Sequence, residues 1–187
     1  MTTQIRGSVL KARKTFVDEN FGPEAWDKVL AVLPEEDRTL LRSLIVHAGW
    51  YPFENGERLD RAIVDVLGEG NLSVFEEIGA KSAQANLTGV HAAFLTPGDP
   101  QAFLAQTKTI YKFYYNTGVR EYEKTGPNSG MITTRDAESF SIADCLTVVG
   151  WHKRALAMCG ARNVRISEIE CRAKADPVCR YELEWDL

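Results

Sequence analysis

The stretch Val164-Arg165-Ile166-Ser167-Glu168-Ile169-Glu170-Cys171, followed beyond Arg172-Ala173-Lys174-Ala175 by Asp176-Pro177-Val178-Cys179-Arg180-Tyr181-Glu182, decides the fold. Apolar and polar side chains alternate on both sides of the turn residues, the period of two that a half-buried strand shows. The segments Arg162 to Arg172 and Val178 to Trp185 therefore read as a terminal β-hairpin. A hairpin that turns symmetrically about Ala175 sets Cys171 opposite Cys179, with β-carbons about 4.5 to 5.5 Å apart.

Working outward, the run from Ile142 to Cys159 reads as a helix, with Ser141 before it and Gly160 after it. Before it lie short segments: a strand at Val119 to Glu123, a loop at Gly126-Pro127-Asn128-Ser129-Gly130 and an extended stretch from Met131 to Phe140. The remainder is helical in texture. Ser8 to Phe21 is amphipathic, with Ser8 as a candidate N-cap, and a short helix starts at Pro23 and ends before Pro34. Arg42 to Phe53 is extended. Leu59 to Leu67 forms a helix closed by Gly68 and Gly70, a longer one carries Leu72 through Phe94, and a third runs from Phe103 to about Gly118 with Asp99 as its cap. The class is α+β: helices packed on an antiparallel sheet in one domain over 1–187, with a helical part at about 8–118 and a strand-helix-hairpin part at about 119–187.

The 187 residues suit one core, and 44% hydrophobic with 26% charged residues excludes disordered and fibrous classes. With 22 Lys+Arg against 26 Asp+Glu there is no basic field for holding nucleic acid. No apolar run approaches the ~20 residues that span a bilayer, and the opening MTTQIRGSVLKARK has no signal-peptide segment, so a cytoplasmic location is expected. Thiols are reduced there, which turns attention to the four cysteines, all between 145 and 179.

Cys171 and Cys179 at cross-strand separation can share a tetrahedral zinc with bonds of about 2.3 Å to sulfur. The preceding helix can add only one thiol, because Cys145 and Cys159 stand about 21 Å apart along a helix axis. Cys145, near the positive end of the helix dipole, is the better thiolate. A carboxylate such as Glu168 or Glu170 would complete the set. Two other readings stand beside this one: four buried thiols that act as small hydrophobes, and a Cys171–Cys179 disulfide.

The order of features from Cys145 through Gly150-Trp151, Gly160, the Glu168-to-Cys171 strand and the Cys179-Arg180-Tyr181 strand resembles the 4-vinyl reductase domain. That family is related to the haem/nitric-oxide-binding domains and the TRAPP vesicle-tethering subunits. The resemblance implies helices enclosing an apolar cavity, a homodimer, and a structural zinc held at Cys145, Glu168, Cys171 and Cys179, with Cys159 outside the motif. Glu168 and Cys171 point to opposite faces of a regular strand, so joint ligation needs a bulge or the strand's end near Glu170.

The aromatic residues Trp50, Phe94, Phe103, Tyr111 and Tyr115 are candidates to line a ligand pocket, although aromatics at helical spacing also build cores. His91, placed on a helix with Phe94, is the one histidine to weigh as a haem ligand. The chain lacks the Tyr-x-Ser-x-Arg run by which the nitric-oxide-binding relatives hold haem propionates. There is no G-x-S-x-G or H-E-x-x-H motif, and no enzyme is expected. The reading is a sensor domain with a structural zinc that binds a small hydrophobic or aromatic ligand and acts through a partner protein. The alternatives are a ligand-free TRAPP-like scaffold, a tetrapyrrole-related enzyme and a haem-based gas sensor.

Overall fold

The computed structural model describes residues 2–187. A short strand β1 (Gln4–Arg6) runs directly into α1 (Gly7–Phe21), and α2 (Pro23–Ala31), α3 (Glu35–Arg42), β2 (Trp50–Pro52), α4 (Phe53–Val66) and α5 (Val74–Thr88) follow. Two five-residue helices, α6 (Pro100–Leu104) and α7 (Thr107–Tyr111), lead to β3 (Val119–Gly126) and β4 (Ser129–Arg135). The long helix α8 (Ile142–Met158) precedes β5 (Arg162–Glu170) and β6 (Cys179–Asp186). β1 pairs with β2, and the main antiparallel sheet has the order β3-β4-β6-β5. The fold is thus α+β, with helices packed on an antiparallel sheet.

Local chemistry explains the boundaries. Asp99 caps α6, its carboxylate accepting from the Ala102 amide at 2.9 Å, and Ser141 caps α8 by accepting from Asp144 N at 3.0 Å. Ser8 is not a cap. It is buried inside the first turn of α1, where the Gly7 and Ser8 amides donate to the carbonyls of Gly49 and His47, both at 2.9 Å, so the loop before β2 does the work of a capping side chain.

One helix went unread and three further expectations are corrected. Glu35–Arg42 is a helix although its residues are mostly charged; Asp37, fully buried, accepts from Arg58 Nε at 2.5 Å and from Asn55, which fixes α3 to α4. The Arg58 guanidinium holds the Asp37 carboxyl below its ordinary range. α4 begins at Phe53, within the segment read as extended. α5 stops at Thr88, because Gly89 takes a conformation no helix contains, and a 3₁₀ turn over Ala92–Phe94 follows. The single helix expected over Phe103 to Gly118 is broken at Ala105-Gln106 into α6 and α7.

Two glycines set the closest helix crossing. A β-carbon on Gly150 of α8 would lie 1.9 Å from the Glu76 carbonyl oxygen of α5, and one on Gly79 of α5 would lie 2.1 Å from Thr147 O. The two helix backbones are therefore in direct contact. Phe75, Ile78 and Leu87 of α5 and Ala155 and Leu156 of α8 are buried on either side of the crossing. No helix among the described residues is long and apolar enough to cross a membrane.

Candidate functional site

The terminal hairpin positions the cysteines. Its ladder runs Ser167↔Glu182 and Glu168↔Tyr181, then slips by one residue to Glu170↔Arg180. This bulge turns Glu168 and Cys171 toward one side, as their joint use requires. Cys171 leaves the strand just before the 3₁₀ turn, its amide donating to Asp176 Oδ2 at 2.8 Å. Cys179 opens β6 opposite Thr134 of β4, and Cys145 comes from the first turn of α8.

Cys145 Sγ lies 3.8 Å from Cys179 Sγ and 3.7 Å from Cys171 Sγ, and the ligand atoms of Cys145, Glu168, Cys171 and Cys179 all lie within 4.8 Å of one another. Sulfurs on tetrahedral bonds of about 2.3 Å to a common centre stand about 3.8 Å apart. The three thiols are buried, and one Glu168 carboxylate oxygen is buried without a partner while the other faces Lys174 Nζ at 3.4 Å. The hydrogen bond shared with Cys145 lowers the Cys179 thiol to about 7, aided by the Arg172 amide; the same bond, with burial, holds Cys145 well above the ordinary thiol range. Burial pushes Cys171 up. Glu170 is turned away into an ion pair with Arg180 at 2.8 Å, and Cys159 lies apart from the cluster, 3.9 Å from Thr96 Oγ1.

A cavity of about 40 Å³ lies where α1, α5, α7, β3 and α8 meet. Its lining includes Arg13, Thr107, Tyr111, Tyr114, Tyr115, Arg120, Thr147, Trp151 and His152. Arg13 holds Asp60 of α4 through Nε at 3.0 Å and Nη2 at 3.2 Å, and reaches Thr147 Oγ1 at 3.4 Å. Tyr115 donates to Asp144 Oδ1 at 2.7 Å. Arg120 donates from Nε to Thr134 Oγ1 at 2.9 Å and stacks over the Tyr111 ring at 4.7 Å. Its other side borders a void of about 10 Å³ lined by Asp144, Cys145, Cys179 and Tyr181, so Arg120 stands between cavity and cysteines. His152 is fully enclosed; burial lowers it to about 3, and its Nδ1–H donates to Val148 O at 2.9 Å, so the ring is neutral.

Of the five aromatics expected around a ligand, Tyr111 and Tyr115 line this cavity, stacked on each other at 4.9 Å. Phe103 is core, packed on Trp151 at 6.0 Å. Phe94 packs beside His91, and Trp50 is 36% exposed on β2 beneath the Arg6 guanidinium, so neither lines it. His91 lies in the turn after α5, not on a helix, with the Phe113 ring 4.8 Å away and those of Tyr114 and Phe94 at 5.8 and 5.9 Å. The residues that sequence reading missed, Arg13, Asp60 and Arg120, had one visible signal: Arg13 shares the buried face of α1 with Leu10 and Val17, where a charge is out of place unless paired.

No protein-family model and no curated protein matches the chain. Solved structures do match. The Fe(II) unliganded H-NOX protein from K. algicida is 13% identical and aligns over 97% of both chains with a TM-score of 0.73. An H-NOX protein from S. oneidensis in the Fe(II)NO ligation state is 15% identical over 97% of this chain and 99% of that one, with a TM-score of 0.71. A structure from work on haem distortion in the H-NOX family is 8% identical over 97% and 95%, at 0.74. The chain has the fold of the H-NOX (haem nitric oxide/oxygen binding) domains.

This corrects three expectations. The resemblance to the 4-vinyl reductase family does not hold, since every solved structure named here is an H-NOX domain. The TRAPP-like scaffold loses its basis for the same reason. Zinc as the cofactor is withdrawn as well, because the proteins that share the fold are described with haem and Fe(II).

Proposed function

We propose that this chain is a small-ligand sensor domain built on the H-NOX fold, which signals in the cytoplasm through a partner protein and has no catalytic role of its own. The observation that carries the reading is the small cavity between the helices and the sheet, whose mostly apolar lining includes the polar side chains of Arg13, Thr107, Arg120 and His152.

The residues present do not fit haem. About 40 Å³ is far below the ~300 to 1,000 Å³ of ordinary small-molecule pockets, and the rings of Tyr111, Tyr114, Tyr115 and Trp151 wall it in. The larger hollow, about 440 Å³ between α4 and the start of α8, is not lined by His91. Strand β4 reads Ser-Gly-Met-Ile-Thr-Thr-Arg and carries no propionate-binding run. Titration with haemin tests the reading: no saturable shift of the Soret band is expected, and His91→Ala leaves the weak background unchanged. A stoichiometric, His91-dependent Soret complex would make the domain a haem sensor instead.

We further propose that Cys145, Glu168, Cys171 and Cys179 form one ligand set for a soft metal ion that ties the start of α8 to the hairpin. Three buried thiols at 3.7 and 3.8 Å and an unpartnered buried carboxylate oxygen support this. Four protein ligands leave no open coordination position, so its work would be structural. Cobalt(II) is the spectroscopic probe. One equivalent should give thiolate-to-cobalt charge-transfer bands and raise the melting temperature, and Cys179→Ser should lose both effects. Absence of the bands in fully reduced protein sinks the ligand set.

A further inference from the structure

Four stretches of the chain, residues 2–9, 43–53, 85–98 and 106–118, contain no Asp or Glu, although 26 of the 187 residues are acidic. The fold brings parts of all four together on one face. Arg6 of β1 is the joint: its guanidinium lies over the Trp50 ring of β2 at 3.9 Å, its Nε donates to Phe113 O at 3.1 Å, and its Nη1 donates to Ala48 O. The Phe113 ring in turn stands 4.8 Å from that of His91, and Val90 is the next residue back along the chain. Trp50 is 36% exposed, Phe113 38%, Val90 69%, and Val46, in the same loop as Ala48, 54%. Scattered apolar residues at a surface need no explanation, but a joined set does. Burial, followed by the nearby His47, lowers His91, so its ring is neutral and extends the apolar surface.

Charge says what this face lacks. Two carbonyls and a ring hold the Arg6 guanidinium in one direction, and Nη2 keeps its N–H groups for a further acceptor. Among the described residues neither Arg6 nor the exposed Lys112 forms an ion pair. Carboxylates from just outside the four stretches are committed elsewhere: Glu138 accepts from Thr3, Glu54 pairs with Arg58, and Asp99 accepts from the Ala102 amide.

Aromatic side chains with arginine, and few other charges, make up the centres of protein–protein interfaces. We propose that this face docks a segment of a partner protein in which a carboxylate lies between aromatic or aliphatic side chains, the carboxylate meeting Arg6 and the apolar flanks covering Trp50 on one side and Phe113 with Val90 on the other. The inference rests on the sensor reading above, which requires a partner, and states the chemistry by which that partner is recognised. Because Arg6 is already fixed over Trp50, docking gives up little side-chain freedom. Anionic lipid is the poorer match, since it recruits clusters of about 4 to 8 Lys/Arg and the four stretches hold only Arg6, Lys108 and Lys112.

The test is selection of a random dodecapeptide library, displayed on phage, against the immobilised full chain, followed by fluorescence anisotropy of a labelled selected peptide in solution. Selected peptides are expected to share Asp or Glu flanked by aromatic or aliphatic residues. Arg6→Gln should weaken binding at least about tenfold, the scale of one charge-assisted hydrogen bond, and Phe113→Ser by a similar factor. Raised salt should weaken the parent more than Arg6→Gln. Val32→Ser, 62% exposed just after α2, should leave the affinity unchanged. If Arg6→Gln does not fold, Trp50→Ser and Phe113→Ser, both at the surface, carry the comparison. Selected peptides without carboxylates overturn the proposal, as do affinities unchanged in these variants or a selection that enriches nothing. Binding to phosphatidylserine vesicles, or dimers in sedimentation, overturns it too where Trp50→Ser abolishes the effect, since lipid or a second copy then takes the face. The sensor reading is decided apart from this: a small molecule retained or accepted in native mass spectrometry keeps the sensor standing whatever the peptides do, and its absence removes the sensor without touching the docking face.

Discussion

Gly150→Ala is expected to destabilise the fold by about 3 kcal/mol, the upper end of what overpacking costs, as measured by urea unfolding with an unchanged slope. On an exposed helix the same replacement would stabilise by up to about 1 kcal/mol, because alanine is the better helix former. The sign reverses here because the new methyl would stand 1.9 Å from Glu76 O, a backbone atom that cannot rotate away. α5 and α8 must then separate. Ser82 of α5 and Thr147, Val148, Trp151 and His152 of α8 all line the interior cavity, so its volume changes with the same displacement. Gly79→Ala, with a 2.1 Å approach to Thr147 O, should behave alike, and a Gly150→Ala protein as stable as the parent would show that the crossing is looser than described.

Asp60→Ala is expected to cost about 3 to 5 kcal/mol, since it leaves the Arg13 guanidinium charged in the interior without its ion-pair partner. Both side chains are nearly inaccessible, and they form a two-point contact between α1 and α4. Burial pushes the Asp60 carboxyl up while Arg13 opposes that shift, so the pair is held by mutual dependence and neither half is favourable by itself. The double replacement Arg13→Met with Asp60→Leu should recover most of the loss, because exchanging a buried ion pair for apolar residues of similar volume is often nearly neutral. A double variant as unstable as Asp60→Ala would instead place the loss in packing around α4.

The hairpin was legible in the sequence because alternation and turn residues agree there, but symmetry about Ala175 holds only where Glu170 meets Arg180; beyond the bulge the ladder is displaced by one residue, as in Glu168↔Tyr181. The need for a bulge was also visible, since two ligand candidates three residues apart cannot share a strand face. What stayed hidden was long-range. α3 could not be read from Glu35-Glu36-Asp37-Arg38, because its stability comes from Arg58 and Asn55 a whole helix away. The capping of α1 by the carbonyls of His47 and Gly49 involves no side chain at all. The cavity was misjudged for a related reason: a search for aromatics found Tyr111 and Tyr115 but passed over Arg13, Asp60 and Arg120, whose pairing only the fold reveals. The family assignment failed on its short span, since a pattern over about the last 45 residues constrains a hairpin and one helix, while the likeness to H-NOX structures extends over 97% of the chain.

The strand order β3-β4-β6-β5 also governs how the domain is completed during synthesis. β6 follows the other three strands of its sheet in chain order, yet it lies in the interior of the sheet, and β4 and β5 share no hydrogen bonds with each other. Until residues 179–186 emerge, the β3–β4 hairpin and β5 each present an open edge, the kind of surface that recruits strands from other chains. The final strand therefore closes two exposed edges in one step and delivers Cys179 beside Cys145 in the same movement. Completion of the sheet, burial of Tyr181 and Trp185, and completion of the thiol cluster all wait for the same eight residues.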